Sequence, residues 1–255
     1  MSHAGAKEGR RFGGDLDAIL KEAKPQEVDR LLLQTKHFTE DEAEHRDEIV
    51  IGYFGKEGIS RIVDSVVDEI VSHPLSHPPA MLDVGAGIGT FTVPIASRVR
   101  ARWPSSKFYA MDLTPAMLEV LTRRTNGITP FVGLAESIPE SIEQARSHVE
   151  VPRTFDFVVS TLMLHHCPDV KKVFLSFQEV LEPGGRAIVV DLCEHQFVEF
   201  REEMGDYHLG FKPSEIEALA RETFGDVSVE KLPKMCSCSA SGRSADLFIC
   251  VMTKS

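Results

Sequence analysis

Three glycines in the segment LDVGAGIGTF constrain the fold of this chain more than any other feature. The apolar run that ends at Val84 is typical of a buried strand, and Gly85, Gly87 and Gly89 lead from it into a helical pattern. Glycine permits positive φ angles and lets a ligand approach the backbone where a side chain would collide. A plain strand–helix turn is the alternative, but the spacing of the glycines favours a ligand-binding loop.

The spacing also excludes two common phosphate-binding loops. A dinucleotide fingerprint that begins at Gly85 requires glycine or alanine at position 90, where this chain has Thr90. The Gly-Lys-Ser/Thr of a P-loop does not follow either. Asp83 stands two residues before Gly85, and a carboxylate there would repel a pyrophosphate. The loop therefore favours a cationic ligand.

Further acidic residues follow the next two predicted strands. Asp112 comes 23 residues after Gly89, close to the spacing of about 20 at which an acid reaches ribose hydroxyls. Thr114 and Pro115 predict the start of a helix, and capping by Thr114 would leave Asp112 available to a ligand. Glu136 follows the third strand. In open α/β sheets ligands bind beyond the carboxyl ends of the strands, where these residues meet.

The apolar pattern predicts an α/β fold with a doubly wound, mostly parallel sheet. Helical stripes separate most of the short apolar runs, and strand–helix alternation is typical of parallel strands. Two later runs, DVSVEKLP and DLFICVMTK, are joined by a short polar loop, which favours an antiparallel pair. The predicted parallel strands are AMLDVG (80–85), KFYAMD (107–112), TPFVG (129–133), TFDFVVST (154–161) and RAIVVDL (186–192).

The N-terminal third of the chain differs from the rest. Residues 1–14 are small, charged and rich in glycine, and we expect them to be disordered. Residues 15–79 have helical patterns, and an apolar stripe from Ile59 to Val71 predicts core packing. The prolines of HPLSHPP end any helix, so we place a boundary at 79. Residues 80–255 form the α/β domain.

Composition limits the partners and the location. The net charge of −11 (28 Lys and Arg against 39 Asp and Glu) makes nucleic acid a poor partner. No apolar run has the length of about 20 residues that spans a bilayer, so we expect no membrane association. Five cysteines without a signal sequence indicate reduced thiols, and we expect a cytoplasmic protein.

Four motifs in this order, DVGAGIG, MDLTPAML, GLAES and FDFVVSTLMLHH…VLEPGG, resemble class I methyltransferases that use S-adenosylmethionine. The likeness is closest to the small-molecule branch typified by quinone-biosynthesis C-methyltransferases. It implies a Rossmann-like, doubly wound, seven-stranded sheet, mostly parallel with a reversed last strand. It also implies that residues 15–79 form a helical lid over an S-adenosylmethionine-dependent methyltransferase domain (80–255).

The resemblance assigns site residues. The glycines would pass under the methionine part of the cofactor, Asp83 would orient its amino group, and Asp112 would hold the ribose hydroxyls. The family often has Asp where this chain has Leu134, so Glu136 is the substitute contact for the adenine N6. The implied cofactor-binding residues are Asp83, Gly85, Gly87, Gly89, Asp112, Leu113, Met117, Ala135, Glu136, Thr161 and Leu162.

Methyl transfer from a sulfonium requires alignment of the reactants and exclusion of water, and in some cases a base. His165 and His166 are the candidate bases, although such paired histidines also pack structurally or contact the cofactor. Candidate acceptor contacts are Tyr53, Phe54, His195 and Tyr207. Weaker candidates are Glu194 and His208.

No metal site is expected, because Cys236 and Cys238 form a C-x-C pair rather than repeated C-x₂₋₄-C pairs. Arsenite methyltransferases resemble this fold and hold the metalloid with cysteines, and Cys167, Cys236 and Cys238 are the residues that such a site would use. Thiols without a function are the favoured interpretation.

The sequence thus predicts transfer of a methyl group to an O, N, C or S atom of a small metabolite. The alternatives are methylation of a protein or RNA, and a catalytically silent member of the fold that only binds a cofactor or partner. We expect a monomer or a homodimer.

Overall fold

The computed structural model describes residues 13–14, 16–22, 31–32, 35, 39–198, 201, 205–238 and 243–255. The segment expected to be disordered (1–14) lies outside these residues except for Gly13 and Gly14, which are buried. The carbonyl of Gly13 accepts a hydrogen bond from the N–H of Val132 at 2.8 Å.

A seven-stranded sheet forms the centre of the molecule, with strand order β3-β2-β1-β4-β5-β7-β6. The first five strands are parallel, and β7 runs antiparallel between β5 and β6. The Rossmann-like sheet with a reversed last strand is therefore confirmed. The strands are β1 (Ala80–Val84), β2 (Lys107–Asp112), β3 (Ile128–Val132), β4 (Phe155–Thr161), β5 (Leu181–Leu192), β6 (Asp226–Cys238) and β7 (Arg243–Thr253).

Helices cover both faces of the sheet, because successive side chains of a strand point to opposite faces. The described helices are α1 (Leu16–Glu22), α2 (Glu40–Ser72), α3 (Thr92–Arg102), α4 (Pro115–Arg124), α5 (Ile138–Ala145), α6 (Val170–Val180) and α7 (Pro213–Arg221). On β1, Leu82 and Val84 pack with α5, α6 and α7. Met81 packs on the other face with α2 and α3.

The long helix α2 consists of two parts that meet at Gly55, whose φ of 63° and ψ of 167° are not helical. The Thr39 hydroxyl caps its start by accepting a hydrogen bond from the N–H of Glu42 at 3.3 Å. The second part supplies buried side chains to the sheet core, among them Ile62, Val66 and Ile70. The predicted core packing of this stripe is therefore confirmed for these residues.

Among the described residues, no helix has both the length and the apolar character that a membrane crossing requires.

Candidate functional site

A cavity lies at the carboxyl ends of β1, β2, β3 and β4, and the first part of α2 covers it with Val50, Tyr53 and Phe54. The cavity is where the sequence places the ligand. The predicted site residues that line it are Tyr53, Phe54, Gly85, Gly87, Asp112, Leu113, Met117, Ala135, Glu136, Thr161, Leu162, His165 and His166.

The glycine loop follows β1 with its backbone close to the cavity. Gly85 has a φ of 75°, and a Cβ atom there would lie 2.1 Å from Cγ of Met163. Gly87 has a φ of 53°, and no heavy atom lies within 4 Å of the position of its missing Cβ. The loop therefore presents bare backbone to a ligand, and only glycine combines this conformation with the close approach at Gly85.

Asp83 lies beneath the loop, with 7% of its surface exposed. Its Oδ2 accepts a hydrogen bond from the Thr92 hydroxyl at 2.6 Å. Its Oδ1 is buried and has no hydrogen-bond partner among the described residues. Burial raises the pKa of Asp83 from 3.8 to about 7, against the Thr92 hydrogen bond and together with the nearby charge of Asp112. Oδ1 thus has neither a cation nor a donor within the described part of the chain, and Asp83 is not among the residues that line the cavity.

Asp112 is held by backbone N–H groups. Its Oδ2 accepts from the N–H of Gly87 at 2.8 Å, and its Oδ1 accepts from the N–H of Thr114 at 2.9 Å. The next helix begins at Pro115 with Thr114 at its N-cap position, as predicted. The expectation that capping by the Thr114 side chain leaves Asp112 available is wrong, because that side chain makes no capping hydrogen bond and the Thr114 N–H donates to Asp112. Burial raises the pKa of Asp112, while these N–H groups and the charge of Arg46 oppose the shift. Asp112 therefore joins the glycine loop to the end of β2.

The chain turns sharply after β4, where Leu162 has a φ of 56°, unusual for a residue with a branched side chain. Its N–H donates to the carbonyl of Val190 at 2.8 Å, which fixes this turn beside β5. The Thr161 hydroxyl is buried without a hydrogen-bond partner among the described residues. Non-glycine residues in this conformation cluster at functional sites, and both residues line the cavity.

His165 and His166 follow this turn, with ring centroids 4.1 Å apart. Nδ1 of His165 lies 2.7 Å from Oδ1 of Asp191, and its Nε2 lies 3.6 Å from Oδ1 of Asp206. Burial lowers the pKa of His165, but the charge and hydrogen bond of Asp191, together with Asp206, outweigh burial and raise it. The half-buried His166 places Nδ1 3.3 Å from the carbonyl oxygen of Gly205.

The structure places the other predicted residues differently. His195 and Tyr207 do not belong to the lining of the cavity, and Tyr207 is 49% exposed. Gly89 lies behind the loop, where a Cβ atom would be 2.6 Å from a methyl group of Leu121. Cys167 lines the cavity, and its thiol donates to the sulfur of Met163 at 3.2 Å. The side chains of Cys236 and Cys238 lie outside the described residues.

Sequence reasoning missed two charged groups of the cavity, Arg46 and Asp206. Burial lowers the pKa of Arg46, although the charges of Glu42, Asp112 and Asp206 oppose the shift. Arg46 precedes Val50 and Tyr53 by four and seven residues, so the helical period could have placed it on the cavity side. No comparable pattern marks Asp206, which lies between β5 and α7 in the sequence.

A seven-stranded sheet with this strand order, one reversed strand and a ligand cavity beside a glycine loop defines the class I methyltransferase fold. Residues 82–189 match the family model described as a methyltransferase domain. The chain therefore has the class I methyltransferase fold, and residues 82–189 are similar to this family of methyltransferase domains.

Two relatives with known names match parts of the chain. A malonyl-[acyl-carrier protein] O-methyltransferase of Xylella fastidiosa is 29% identical over 108 residues, which cover 41% of this chain and 32% of the relative. A demethylmenaquinone methyltransferase of Geobacillus sp. is 26% identical over 126 residues, 48% of each chain. The matches thus span about a third and about half of the two relatives' lengths.

The fold is shared with solved methyltransferases. Phosphoethanolamine N-methyltransferase 2 of Haemonchus contortus, solved in complex with S-adenosyl-L-methionine, superposes with a TM-score of 0.53. It is 19% identical, and the match covers 74% of this chain and 52% of that protein.

Proposed function

We propose that this chain transfers a methyl group from S-adenosylmethionine to a nucleophilic O, N, C or S atom of a small metabolite. The observation that carries the proposal is the buried carboxylate of Asp83 beneath a glycine loop, with one oxygen that lacks a partner among the described residues. A buried carboxylate without a partner is costly, and a bound cation would remove that cost.

The residues present fit the proposed cofactor. S-adenosylmethionine carries an ammonium group, a sulfonium, ribose hydroxyls and an adenine ring. Asp83 would attract the ammonium group, directly or through water, and Gly85 and Gly87 offer backbone without side chains. Asp112 would hold the ribose hydroxyls, and Leu113 is the apolar group beside the adenine. Met117, Ala135, Glu136, Thr161 and Leu162 complete the proposed cofactor site.

The chain supplies positioning and exclusion of water. When bound, S-adenosylmethionine supplies a reactive methyl group on a positively charged sulfur. Tyr53 and Phe54 cover the cavity from α2, and we propose that they contact the acceptor and keep water out. Holding two reactants in line lowers a barrier by as much as about 7–11 kcal/mol, so positioning alone supplies much of the catalysis.

His165 and His166 form the polar end of the cavity, together with Asp206. The two aspartates beside His165 favour its protonated form, which donates hydrogen bonds and is a poor base. The role of general base, where the acceptor must lose a proton, is therefore proposed for His166. His195 and Tyr207 remain proposed acceptor contacts that would require a movement of their segment.

Two observations support a small-molecule acceptor. The relatives named above include a demethylmenaquinone methyltransferase, and the cavity is bounded by α2. Methylation of a protein or RNA remains the alternative. A monomer or a homodimer remains the predicted oligomeric state.

Titration calorimetry of the full chain with S-adenosylmethionine tests the proposal by measuring cofactor binding. Asp112→Ala removes both backbone contacts of the carboxylate and the proposed ribose contact, so we expect affinity to fall by about 1.5 kcal/mol or more. The exposed Asp64→Ala on α2 is the matched control and should bind as the wild type does. No binding by the wild-type chain would refute the function, and full affinity in Asp112→Ala would refute the role of that residue.

A further inference from the structure

Two histidines and one carboxylate converge at the polar end of the cavity. One nitrogen of His165, one nitrogen of His166 and one carboxylate oxygen of Asp206 all lie within 4.8 Å of one another. His165 and Asp206 are buried, and all three residues line the cavity. The three side chains come from two segments, the turn after β4 and the segment that precedes α7.

The distances between these atoms fit ligands of one ion. Nε2 of His165 lies 3.6 Å from Oδ1 of Asp206, and Nδ1 of His166 lies 3.9 Å from the same oxygen. Both distances exceed a hydrogen bond. Two ligands at 2.0–2.1 Å from a tetrahedral ion are about 3.3–3.4 Å apart. Each nitrogen therefore lies within about 0.6 Å of that separation from the Asp206 oxygen. The two nitrogens lie within 4.8 Å of each other, so binding of one ion would also draw the two imidazole rings together.

Asp191 completes the arrangement from behind. Its Oδ1 lies 2.7 Å from Nδ1 of His165, and Asp191 is fully buried. This contact places the Nδ1 proton of His165 toward the carboxylate and turns Nε2 toward Asp206. Metal-ligating histidines usually donate their other N–H to a carboxylate in this way. As a ligand through Nδ1, His166 would give up its long contact of 3.3 Å with the carbonyl of Gly205.

The charges around the group also favour a cation. Asp191 and Asp206 are two carboxylates within reach of His165, and Arg46 is the cation that approaches Asp206 from α2. The positive charge of Arg46 disfavours a second cation nearby. A metal ion must therefore compete with Arg46 for Asp206, and with a proton for Nε2 of His165. That proton leaves to solvent when the nitrogen binds a metal.

We propose that His165, His166 and Asp206 bind a divalent transition-metal ion, for which Zn²⁺ is the probe, with a remaining coordination position open to the cavity. Two imidazoles and one carboxylate form a ligand set that such ions accept. The sequence predicts no metal site, because the spacing of cysteines carries no information about ligands that are histidine and aspartate.

The use of the ion rests on the proposed function. An acceptor oxygen bound in the open position would be polarised by the metal, and its proton would pass to solvent when the alkoxide forms. In the metal-loaded protein the ion would take the place of His166 as the group that activates the acceptor. His165 and His166 would then hold the ion.

Competition of the metal-free full chain with a chromophoric zinc chelator tests the site. We expect one tight equivalent of Zn²⁺, a loss of affinity of about tenfold or more in His166→Ala and in Asp206→Asn, and a loss of about 10–100-fold in Asp191→Asn. The exposed His148, outside the cavity, supplies the control variant His148→Ala, which should keep the affinity. Thermal melting shows whether each variant is folded.

The proposal would be overturned if the wild-type chain bound no zinc tightly, or if His166→Ala and Asp206→Asn both bound zinc as tightly as the wild type. A thiolate charge-transfer band in the Co²⁺-substituted protein would also overturn this ligand set, since Cys167 would then be a ligand. Calorimetry with S-adenosylmethionine on the same samples separates the two proposals. Cofactor binding without zinc binding removes only the metal site, whereas zinc binding without cofactor binding removes only the proposed function.

Discussion

Replacement of Asp83 by asparagine should stabilise the free protein and weaken cofactor binding. The carboxyl group is buried, accepts one hydrogen bond from Thr92 and has a pKa raised to about 7, chiefly by burial. Above that pH the native state must hold a buried negative charge whose Oδ1 lacks a partner among the described residues. Asparagine is close in shape and stays neutral at every pH, so it avoids this cost.

The magnitude follows from the shift in pKa. A rise from 3.8 to about 7 corresponds to about 4 kcal/mol of lost stability once the group is ionised in both states. Since the folded state binds more protons than the unfolded state between these values, stability falls as pH rises through that window and is constant above it. The part lost between about pH 5 and pH 8 is about 3 kcal/mol. A buried amide N–H without a partner offsets about 1–3 kcal/mol of the gain in the variant at every pH.

Urea unfolding of wild type and Asp83→Asn at these two pH values measures the effect. Between pH 5 and pH 8 we expect the unfolding free energy of the wild type to fall by about 3 kcal/mol relative to that of Asp83→Asn. Calorimetry should show that the variant binds S-adenosylmethionine more weakly than the wild type does. Thr92→Val is the matched variant, because it removes the hydrogen bond and leaves the carboxyl group. A difference in stability that does not change with pH would refute the buried-charge argument.

The remaining predictions concern the glycine loop and the first part of α2. Gly85→Ala should lose more stability in urea unfolding than Gly184→Ala, because both have positive φ but only Gly85 has a close neighbour, Met163; equal losses would contradict the steric argument. Asp47→Ala removes the hydrogen bond from the Thr90 hydroxyl at 2.7 Å and an ion pair with Arg124. The rate of amide hydrogen exchange in residues 40–54 should therefore rise, while the free energy of unfolding changes by about 1 kcal/mol or less. Unchanged exchange would show that these contacts do not hold the first part of α2 in place.

Local patterns were sufficient for much of the fold. The apolar run from Ala80 to Val84 and the following glycines identified β1 and the loop. Such elements can be predicted because the spacing of apolar residues within a short segment indicates a strand or a helix. The reversed strand β7 followed from the short loop before it. The position of Asp112 at the cavity was predicted, but its hydrogen bonds were not. One donor, the N–H of Gly87, lies 25 residues away in the sequence, and no local pattern indicates such a contact.

The fold class, the glycine loop and the acidic residues at the strand ends could be predicted from the amino-acid sequence, because they depend on periodicity and spacing within short segments. The positions of Asp191 and Asp206 beside His165, and of Arg46 in the same cavity, became visible in the folded chain alone. These residues are distant in sequence, and sheet order and helix docking bring them together. Burial and these charged neighbours together shift the pKa values of His165 and Arg46, an effect that no local sequence pattern predicts.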